Sequence, residues 1–463
     1  MRRDGSSSSP TLRASANSCQ PAASQRCHSR SRSLRSRAAR ATASLSERHD
    51  RGQFAALFAR PLVSLRSLLV KALRFSRKEA RYAAAALASR LRPGAGATWG
   101  PLKLIHGDPP ELPGQDWQRI YPRLTGICGS DLATIDGRSS RYFEDYVSFP
   151  FVPGHEIVAD TAEGRRVIVE PVLGHAARGF DLPYPGAAPG DGDDYRHLMS
   201  GHLKPGLQTG FCRSTGGGWS TELVAHDSQL HDVPDWMSDE LAVMIEPLAG
   251  GVHAALRSGA QPGDTVAVVG AGTMGLLAVA ALRGLTEPAS ILVGARYSTQ
   301  RALALELGAD SAVEPGELKR AARRATGSFM VGDHLSGGAD VVIDAVGSSA
   351  SLAEALSLCR PRGRVLMLGM PATVTVELTG LWHREIELAG CYAYGTEVRA
   401  DGRLATSFDL AMELAGKVAF DRLVSALYPL DRYVDALSHA AEAGRRGAVK
   451  VAFDMRNERR RGI

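Results

Sequence analysis

Short runs of β-branched and aliphatic residues alternate with amphipathic stretches in the second half of the chain. The predicted strands are Asp264–Gly270, Ser290–Gly294, Ala339–Gly347 and Gly363–Gly369. Helical spacing of apolar residues falls between them, at Leu276–Leu282 and Ser351–Cys359. Strands that alternate with helices form parallel sheets covered by helices on both faces. We therefore predict an α/β fold with a doubly wound parallel sheet in this half.

A glycine-rich turn joins the first of these strands to its helix. Gly270, Gly272 and Gly275 follow the pattern Gly-x-Gly-x-x-Gly, with a strand before them and a helix after them. Glycines let the backbone approach a pyrophosphate, whose charge lies at the amino end of the helix, beside Thr273 and Met274. The alternative interpretation is a chance glycine turn between two packed elements.

The end of the next strand bears on the choice of nicotinamide cofactor. An NAD-binding fold usually has an acidic residue about 20 positions after the last glycine, which accepts a hydrogen bond from the ribose 2′-hydroxyl. Arg296 stands there instead, and Gly294–Ser298 contains no acid. Because a guanidinium suits a 2′-phosphate, we predict NADP rather than NAD. The alternative is a solvated Arg296 that stacks on the adenine of either cofactor. Asp344 and Gly347, at the end of a later strand, should also lie near the cofactor.

Three segments outside this sheet contain residues that ligate metals or move protons in enzymes. They are Gly126–Asp131, Phe149–Glu156 and Ile245–Ala254. Taken singly, a cysteine such as Cys128 is more often a small buried hydrophobe. A lone His155 is more often a satisfied core residue, and an acid such as Glu246 is favoured at the start of a helix.

Taken together, the segments resemble the zinc-containing medium-chain dehydrogenases, the family that includes sorbitol and threonine dehydrogenases. The family's motifs occur in order as GICGSD at 126–131, PGHE at 153–156 and EPLAGGVHA at 246–254. The resemblance implies a GroES-like β-rich catalytic domain (70–245), a Rossmann dinucleotide-binding domain (246–393) and a return to the catalytic domain (394–463). It also implies hydride transfer between a nicotinamide cofactor and an alcohol, a polyol or the corresponding carbonyl compound.

The resemblance also implies the metal ligands. It makes Cys128, His155 and Glu246 the protein ligands of one catalytic Zn²⁺, with Glu156 beside the metal as an alternative fourth ligand. Thiolate, imidazole and carboxylate donors suit zinc, and three of them leave a position open for the substrate oxygen. Zinc in such a site lowers the pKa of the bound alcohol.

Two further residues would complete the chemistry. Asp131 would orient His155, and Ser130 would contact the bound alcohol and start the relay of its proton. Family members often carry a histidine five residues after the first ligand cysteine, but this chain has Ala133 there. The exit of the proton is therefore open between the cofactor ribose, water and Thr134.

The chain departs from the family again where many members bind a second, structural zinc through four closely spaced cysteines. Residues 175–202 contain no cysteine. Since a closed site of this kind needs four thiolates, we predict a single zinc per chain. The run Leu182–Asp194 is predicted to be a loop. Phe143, Phe149 and Trp219 are candidates for the substrate cleft, although core packing is the favoured role of Trp219.

Charge separates the first 69 residues from the remainder. They contain thirteen arginines, no lysine and three acids, so their formal charge of +10 exceeds the +6 of the whole chain. We predict a disordered head, and favour a mis-set translation start near Val70 over an organelle transit peptide. The head lacks the interleaved aromatic residues of nucleic-acid sites, and no apolar run approaches the roughly 18 residues that span a membrane. We therefore expect neither partner.

Location and assembly are also expectations. Six scattered cysteines suit the reducing cytoplasm, and the resemblance implies a homo-oligomer. Two other functions stay open on the sequence alone. A zinc-free quinone or enoyl reductase of the same superfamily would not need Cys128, His155 or Glu246. A non-catalytic cofactor-binding sensor would fit the missing histidine and the missing cysteines.

Overall fold

The computed structural model of this chain describes residues 69–399 and 401–458. The predicted disordered head lies outside the described residues, except for its last residue. No helix in the described ranges combines the length and the apolar character needed to cross a bilayer.

The elements fall into three consecutive stretches of the chain. The first contains β1 (Val70–Phe75), α1 (Glu79–Leu91), α2 (Gly96–Trp99), β2 (Leu102–Gly107), β3 (Trp117–Gly126), α3 (Gly129–Ile135), β4 (Ile157–Thr161), β5 (Arg166–Val169), α4 (Arg196–Met199), β6 (Leu223–His226), β7 (Leu230–Asp232) and α5 (Asp239–Ala242). The second contains α6 (Ile245–Arg257), β8 (Thr265–Val269), α7 (Thr273–Leu285), β9 (Ser290–Gly294), α8 (Ser298–Glu306), β10 (Ser311–Val313), α9 (Leu318–Thr326), β11 (Met330–Val331), β12 (His334–Leu335), β13 (Ala339–Asp344), α10 (Ser349–Leu358), β14 (Cys359–Met367), α11 (Thr379–His383) and β15 (Glu387–Gly390). The third contains β16 (Thr396–Val398), β17 (Leu404–Thr406), α12 (Ser407–Ala415), β18 (Val424–Tyr428), α13 (Tyr433–Ala441) and β19 (Lys450–Asp454).

The parallel sheet predicted for the second half is present. It has six strands in the order β10-β9-β8-β13-β14-β15, and every neighbouring pair is parallel. All five residues of β8 are buried, because helices cover both faces of the sheet. The order runs outward in both directions from β8 and β13, so the crevice beyond their carboxyl ends is a topological switch point, where ligands bind in sheets of this type.

A second, mostly antiparallel sheet lies in the strand-rich part of the molecule. Its order is β18-β19-β3-β4-β5-β7, and β6 pairs with β3 as well. The final strand β19 runs antiparallel to β3, with Ala452 opposite Gly126. The chain therefore returns to its first sheet after the parallel sheet is complete, which places residues from both ends of the sequence around one site.

Between β1 and β2 the chain forms the two helices α1 and α2, which the sequence analysis did not predict. Asp136, which follows α3, fixes the link between them. Its two carboxylate oxygens accept hydrogen bonds from the backbone N–H groups of Gly94 (3.0 Å) and Gly96 (3.2 Å). A buried carboxylate that accepts two N–H groups has its charge solvated by the protein.

Residues 171–215, here called the Arg178 lobe, include the region where relatives of the resembled family bind structural zinc. The predicted loop Leu182–Asp194 contains no helix or strand. The lobe is organised around Arg178, whose side chain is 1% exposed. Its guanidinium donates hydrogen bonds to the backbone carbonyls of Leu173 (2.9 Å), Ser200 (3.0 Å), Lys204 (3.2 Å) and Gly206 (2.7 Å). The Arg178 side chain thus connects segments as far apart in the sequence as Leu173 and Gly206.

Candidate active site

The amino end of α3 carries the first group of candidate residues. Cys128 is the residue before the helix, in extended conformation, and Ser130 and Asp131 lie in the first turn. Asp131 is buried, and its Oδ2 accepts a hydrogen bond from the backbone N–H of Cys128 at 3.1 Å. An acid in the first turn of a helix is stabilised by the free N–H groups there, so Asp131 fixes the position of the cysteine.

His155 lies against the same turn. Its Nδ1 is 3.6 Å from Oδ1 of Asp131, and its Nε2 is 3.5 Å from the Ser130 hydroxyl. Burial favours the neutral imidazole, but the carboxylate of Asp131 and the thiol of Cys128 outweigh it and raise the pKa of His155 well above its ordinary value. One carboxylate therefore positions both the imidazole and the cysteine.

A third donor, Glu156, completes a compact cluster. Ligand atoms of Cys128, His155 and Glu156 all lie within 4.8 Å of one another. Gly126 allows this approach, because a Cβ there would overlap the Glu156 carboxylate. A thiol, an imidazole and a carboxylate at these separations form a donor set that suits Zn²⁺.

Lys450 lies beside this cluster and was missed by the sequence analysis. Its Nζ donates to both oxygens of Glu156, at 2.5 and 2.7 Å, and both side chains are almost fully buried. Burial lowers the pKa of a lysine, but the charges of Glu156 and Cys128 prevail and raise that of Lys450. The one usable signal was a single lysine in the otherwise apolar strand that ends at Phe453.

Glu246, predicted as the third metal ligand, is not a member of the compact cluster found in the described residues. It lies in the first turn of α6, near enough for the charges of His155 and Glu156 to act on it. Burial raises its pKa to about 7, and the negative charge of Glu156 acts in the same direction. The sequence could not distinguish the two glutamates, because the difference depends on how α6 packs against the first sheet.

The glycine-rich turn has the form predicted for it. Gly270 has φ +96°, and α7 begins at Thr273 after Gly272, with no side chain capping its first turn. A Cβ on Gly275 would overlap the carbonyl of Gly270, so this glycine is needed for the helix to pack on the strand. The unused N–H groups beside Thr273 and Met274 are the ordinary donors to a pyrophosphate.

The other predicted cofactor residues lie at the same edge of the parallel sheet. Arg296 is exposed just after β9. Asp344 ends β13, where its Oδ1 accepts hydrogen bonds from the backbone N–H groups of Val346 and Gly347 (2.9 and 3.0 Å). Gly347 has φ +72° and lies against Gly369, with no room for a side chain. In the described structure Asp344 thus shapes the turn that borders the cofactor crevice.

The three aromatic candidates for the cleft differ in burial and in packing. Trp219 is fully buried and donates its indole N–H to the carbonyl of Gly126 at 3.2 Å, which confirms the favoured core role. Phe149 is partly buried and packs against the same core, beside Phe75 and Phe151, and its place in the cleft stays a prediction. Phe143 stacks on Tyr392, which the sequence analysis missed.

Comparisons with known proteins agree with this geometry. A family model described as zinc-binding dehydrogenase matches residues 272–407. A protein of Rhizobium meliloti, provisionally named D-xylulose reductase, is 30% identical over 359 residues, which cover 72% of this chain and 90% of that protein. The chain belongs to the zinc-containing medium-chain dehydrogenase family.

More distant members give the same result. Sorbitol dehydrogenase of Bacillus subtilis is 27% identical over 340 residues, which cover 70% of this chain and 86% of that enzyme. A solved zinc-binding dehydrogenase structure from Sinorhizobium meliloti, provisionally assigned and bound to NADP, superposes with a TM-score of 0.60 at 24% identity. It covers 83% of this chain and 99% of the other, so the medium-chain dehydrogenase fold extends over both sheets. The two-part α/β fold predicted from the sequence is therefore confirmed, and the chain is a dehydrogenase of the zinc-dependent type.

Proposed function

We propose that this dehydrogenase transfers a hydride between NADP and an alcohol or polyol at a single zinc held by Cys128, His155 and Glu156. The observation that carries the proposal is the compact cluster of thiol, imidazole and carboxylate, in which His155 and Glu156 are buried and Cys128 is partly exposed. Relatives named sorbitol dehydrogenase and D-xylulose reductase support the substrate class. A zinc-free reductase would have no use for these donors.

The chain's own residues prepare the site for the reaction. Bound zinc would lower the pKa of the substrate alcohol and leave it ready to give up a hydride. Asp131 holds the imidazole of His155 through its Nδ1 side, so that Nε2 faces the ligand position beside Ser130. The Ser130 hydroxyl borders the cluster without belonging to it, so it can take the proton of the alcohol while it passes its own hydroxyl proton on to water or to the cofactor ribose.

Lys450 has a supporting part in this proposal. The side chains of Lys450 and Glu156 form a buried ion pair. The positive charge of Lys450 therefore offsets part of the negative charge of the Cys128 thiolate, Glu156 and Glu246. Glu246 forms the remaining acidic wall of the site. Glu246 was expected to be a ligand. Zinc retention by Glu246→Gln, compared with that by Glu156→Gln, decides which glutamate binds the metal.

The choice of NADP rests on Arg296. It is exposed after β9, where the family's ribose-binding acid would otherwise stand. We also propose one zinc per chain, because Cys212 is the single cysteine within the Arg178 lobe. A cytoplasmic homo-oligomer completes the proposal.

The decisive experiment is elemental analysis of the purified chain together with turnover of sorbitol with NADP. We expect about one zinc per chain, bound in Glu246→Gln but largely lost in Cys128→Ser and Glu156→Gln. Loss of zinc from Glu246→Gln but not from Glu156→Gln would restore the ligand set expected from the sequence. A zinc-free protein, purified without chelators, would overturn the mechanism, and equal kcat/KM with NAD and NADP would overturn the cofactor preference.

A further inference from the structure

Tyr392 stands where the parallel-sheet part of the chain meets the catalytic part. It follows β15 of the parallel sheet, whereas Phe143 belongs to the short helical turn Arg141–Tyr146 of the catalytic part. The rings of Tyr392 and Phe143 lie 6.4 Å apart between centroids, with planes inclined at 24°. This is within the contact range of offset aromatic pairs, so the phenol is held from both sides of the cleft.

The backbone beside Tyr392 also sets its direction. Ala393 has φ +50°, a left-handed conformation that a residue with a Cβ rarely adopts. The turn sends Tyr394 into the core, where its ring packs edge-on against Phe408, while Tyr392 stays half exposed. Strained backbone at a ligand-binding edge is a common sign of a positioned side chain.

The Tyr392 hydroxyl is not used by the part of the fold that the structure describes. Among the described residues, its phenol oxygen has no hydrogen-bond partner. The residue after it, Ala393, lies against α6, the helix whose first turn carries Glu246: a Cβ on Gly250 would be 3.5 Å from the carbonyl oxygen of Ala393. Tyr392 therefore stands at the edge of the candidate active site. A tyrosine hydroxyl has an ordinary pKa of about 10, so it keeps its proton over the working range of pH and can donate a hydrogen bond.

We propose that Tyr392 determines specificity by donating a hydrogen bond to a second hydroxyl of the substrate, close to the reacting carbinol. Phe143 is the positioning residue that holds the phenol in place. This inference rests on the proposed function. It makes the preferred substrate a diol or polyol, because a free donor beside the site is satisfied by a second hydroxyl and left unpaired by a simple alcohol.

The test compares 2,3-butanediol with 2-butanol, which share a carbon skeleton and differ by one hydroxyl. We expect Tyr392→Phe to lower kcat/KM for the diol about 3- to 15-fold, as for the loss of one neutral hydrogen bond. The value for 2-butanol should stay within about twofold. Phe143→Leu should also lower kcat/KM for 2,3-butanediol relative to that for 2-butanol. Phe143→Tyr, which keeps an aromatic ring against Tyr392, should have the wild-type ratio.

Tyr142→Phe is the matched control, because Tyr142 stacks edge-on against Phe143 but is 65% exposed. It should leave the ratio unchanged. Turnover of both alcohols with an unchanged ratio in Tyr392→Phe would overturn the specificity role and leave the proposed function intact. Absence of turnover with any alcohol in the zinc-loaded wild-type chain would instead overturn both.

Discussion

Arg178 offers the sharpest test of what holds the Arg178 lobe together. The substitution Arg178→Met keeps much of the side-chain volume but removes all four hydrogen bonds to backbone carbonyls. The carbonyls of Leu173 and Gly206 are buried, and an unpaired buried polar group costs about 1–3 kcal/mol. Those of Ser200 and Lys204 lie nearer the surface, where water can replace the donor.

Two buried carbonyls would therefore cost about 2–6 kcal/mol. Removing the guanidinium also relieves a desolvation cost, which is visible in the pKa of Arg178 being lowered by burial. Among the described residues no carboxylate pairs with Arg178. We therefore expect a net loss of about 2–4 kcal/mol, confined to the Arg178 lobe.

Hydrogen exchange measures this loss where it occurs. A local loss of about 2 kcal/mol speeds exchange through local opening about 30-fold. We expect that acceleration for amides between residues 173 and 206, and none in β8. Arg178→Lys keeps the charge but has fewer hydrogen-bond donors, so its exchange rates should lie between those of the wild type and Arg178→Met. Arg384→Met is the control, since Arg384 also donates to a backbone carbonyl but in the parallel-sheet part. An acceleration below about threefold in Arg178→Met would refute the reasoning.

Three further predictions concern the metal site and the lobe. Asp131→Asn should weaken zinc retention about 10- to 100-fold in competition with a chelator, because it loosens His155 and Cys128 together; unchanged retention would count against its positioning role. Lys450→Met should destabilise the metal-free chain by about 3–5 kcal/mol in urea unfolding, since it leaves Glu156 buried and unpaired, and adding Glu156→Gln should recover part of that loss. The pKa of His197 is lowered by burial and then by His175, which stacks on it with ring centroids 4.0 Å apart. The unfolded chain therefore binds this proton more readily, so the lobe should keep its full stability above about pH 6.5 and lose stability as the pH falls below that value; exchange rates at pH 7.5 and 5.5 measure this, and a His197→Phe variant with the same pH response would exclude the histidine.

The parts of the fold that follow local pattern were predictable from the sequence. Strand Ser290–Gly294 was predicted with the bounds that the structure shows. The glycine-rich turn was predictable because its requirement is local: Gly275 must be small wherever a helix packs this closely on a strand. Helix α1 was missed, although its alanine-rich sequence is typical of a helix.

The candidate site was predictable only in part. The motifs identified Cys128, His155 and Asp131 as site residues, because all three lie in short segments with fixed spacing. The choice between Glu156 and Glu246 depends on distances between separate elements, which no spacing records. Lys450 is nearly 300 positions from its partner, and only the pairing of β19 with β3 brings the two together.

That pairing has a consequence for how the protein is made. The sheet that holds the metal cluster begins with residues from the first half of the chain, yet its strand β19 is among the last described residues to leave the ribosome. Until then the end of β3 at Gly126 lacks the strand that pairs with it there, and Glu156 lacks its partner Lys450. The parallel sheet, by contrast, is continuous in sequence and can form as soon as β15 has emerged. The nucleotide-binding half should therefore fold before the catalytic half. A nonsense mutation that removes β19 should destabilise the sheet to which β3 belongs, although that sheet is encoded mostly upstream.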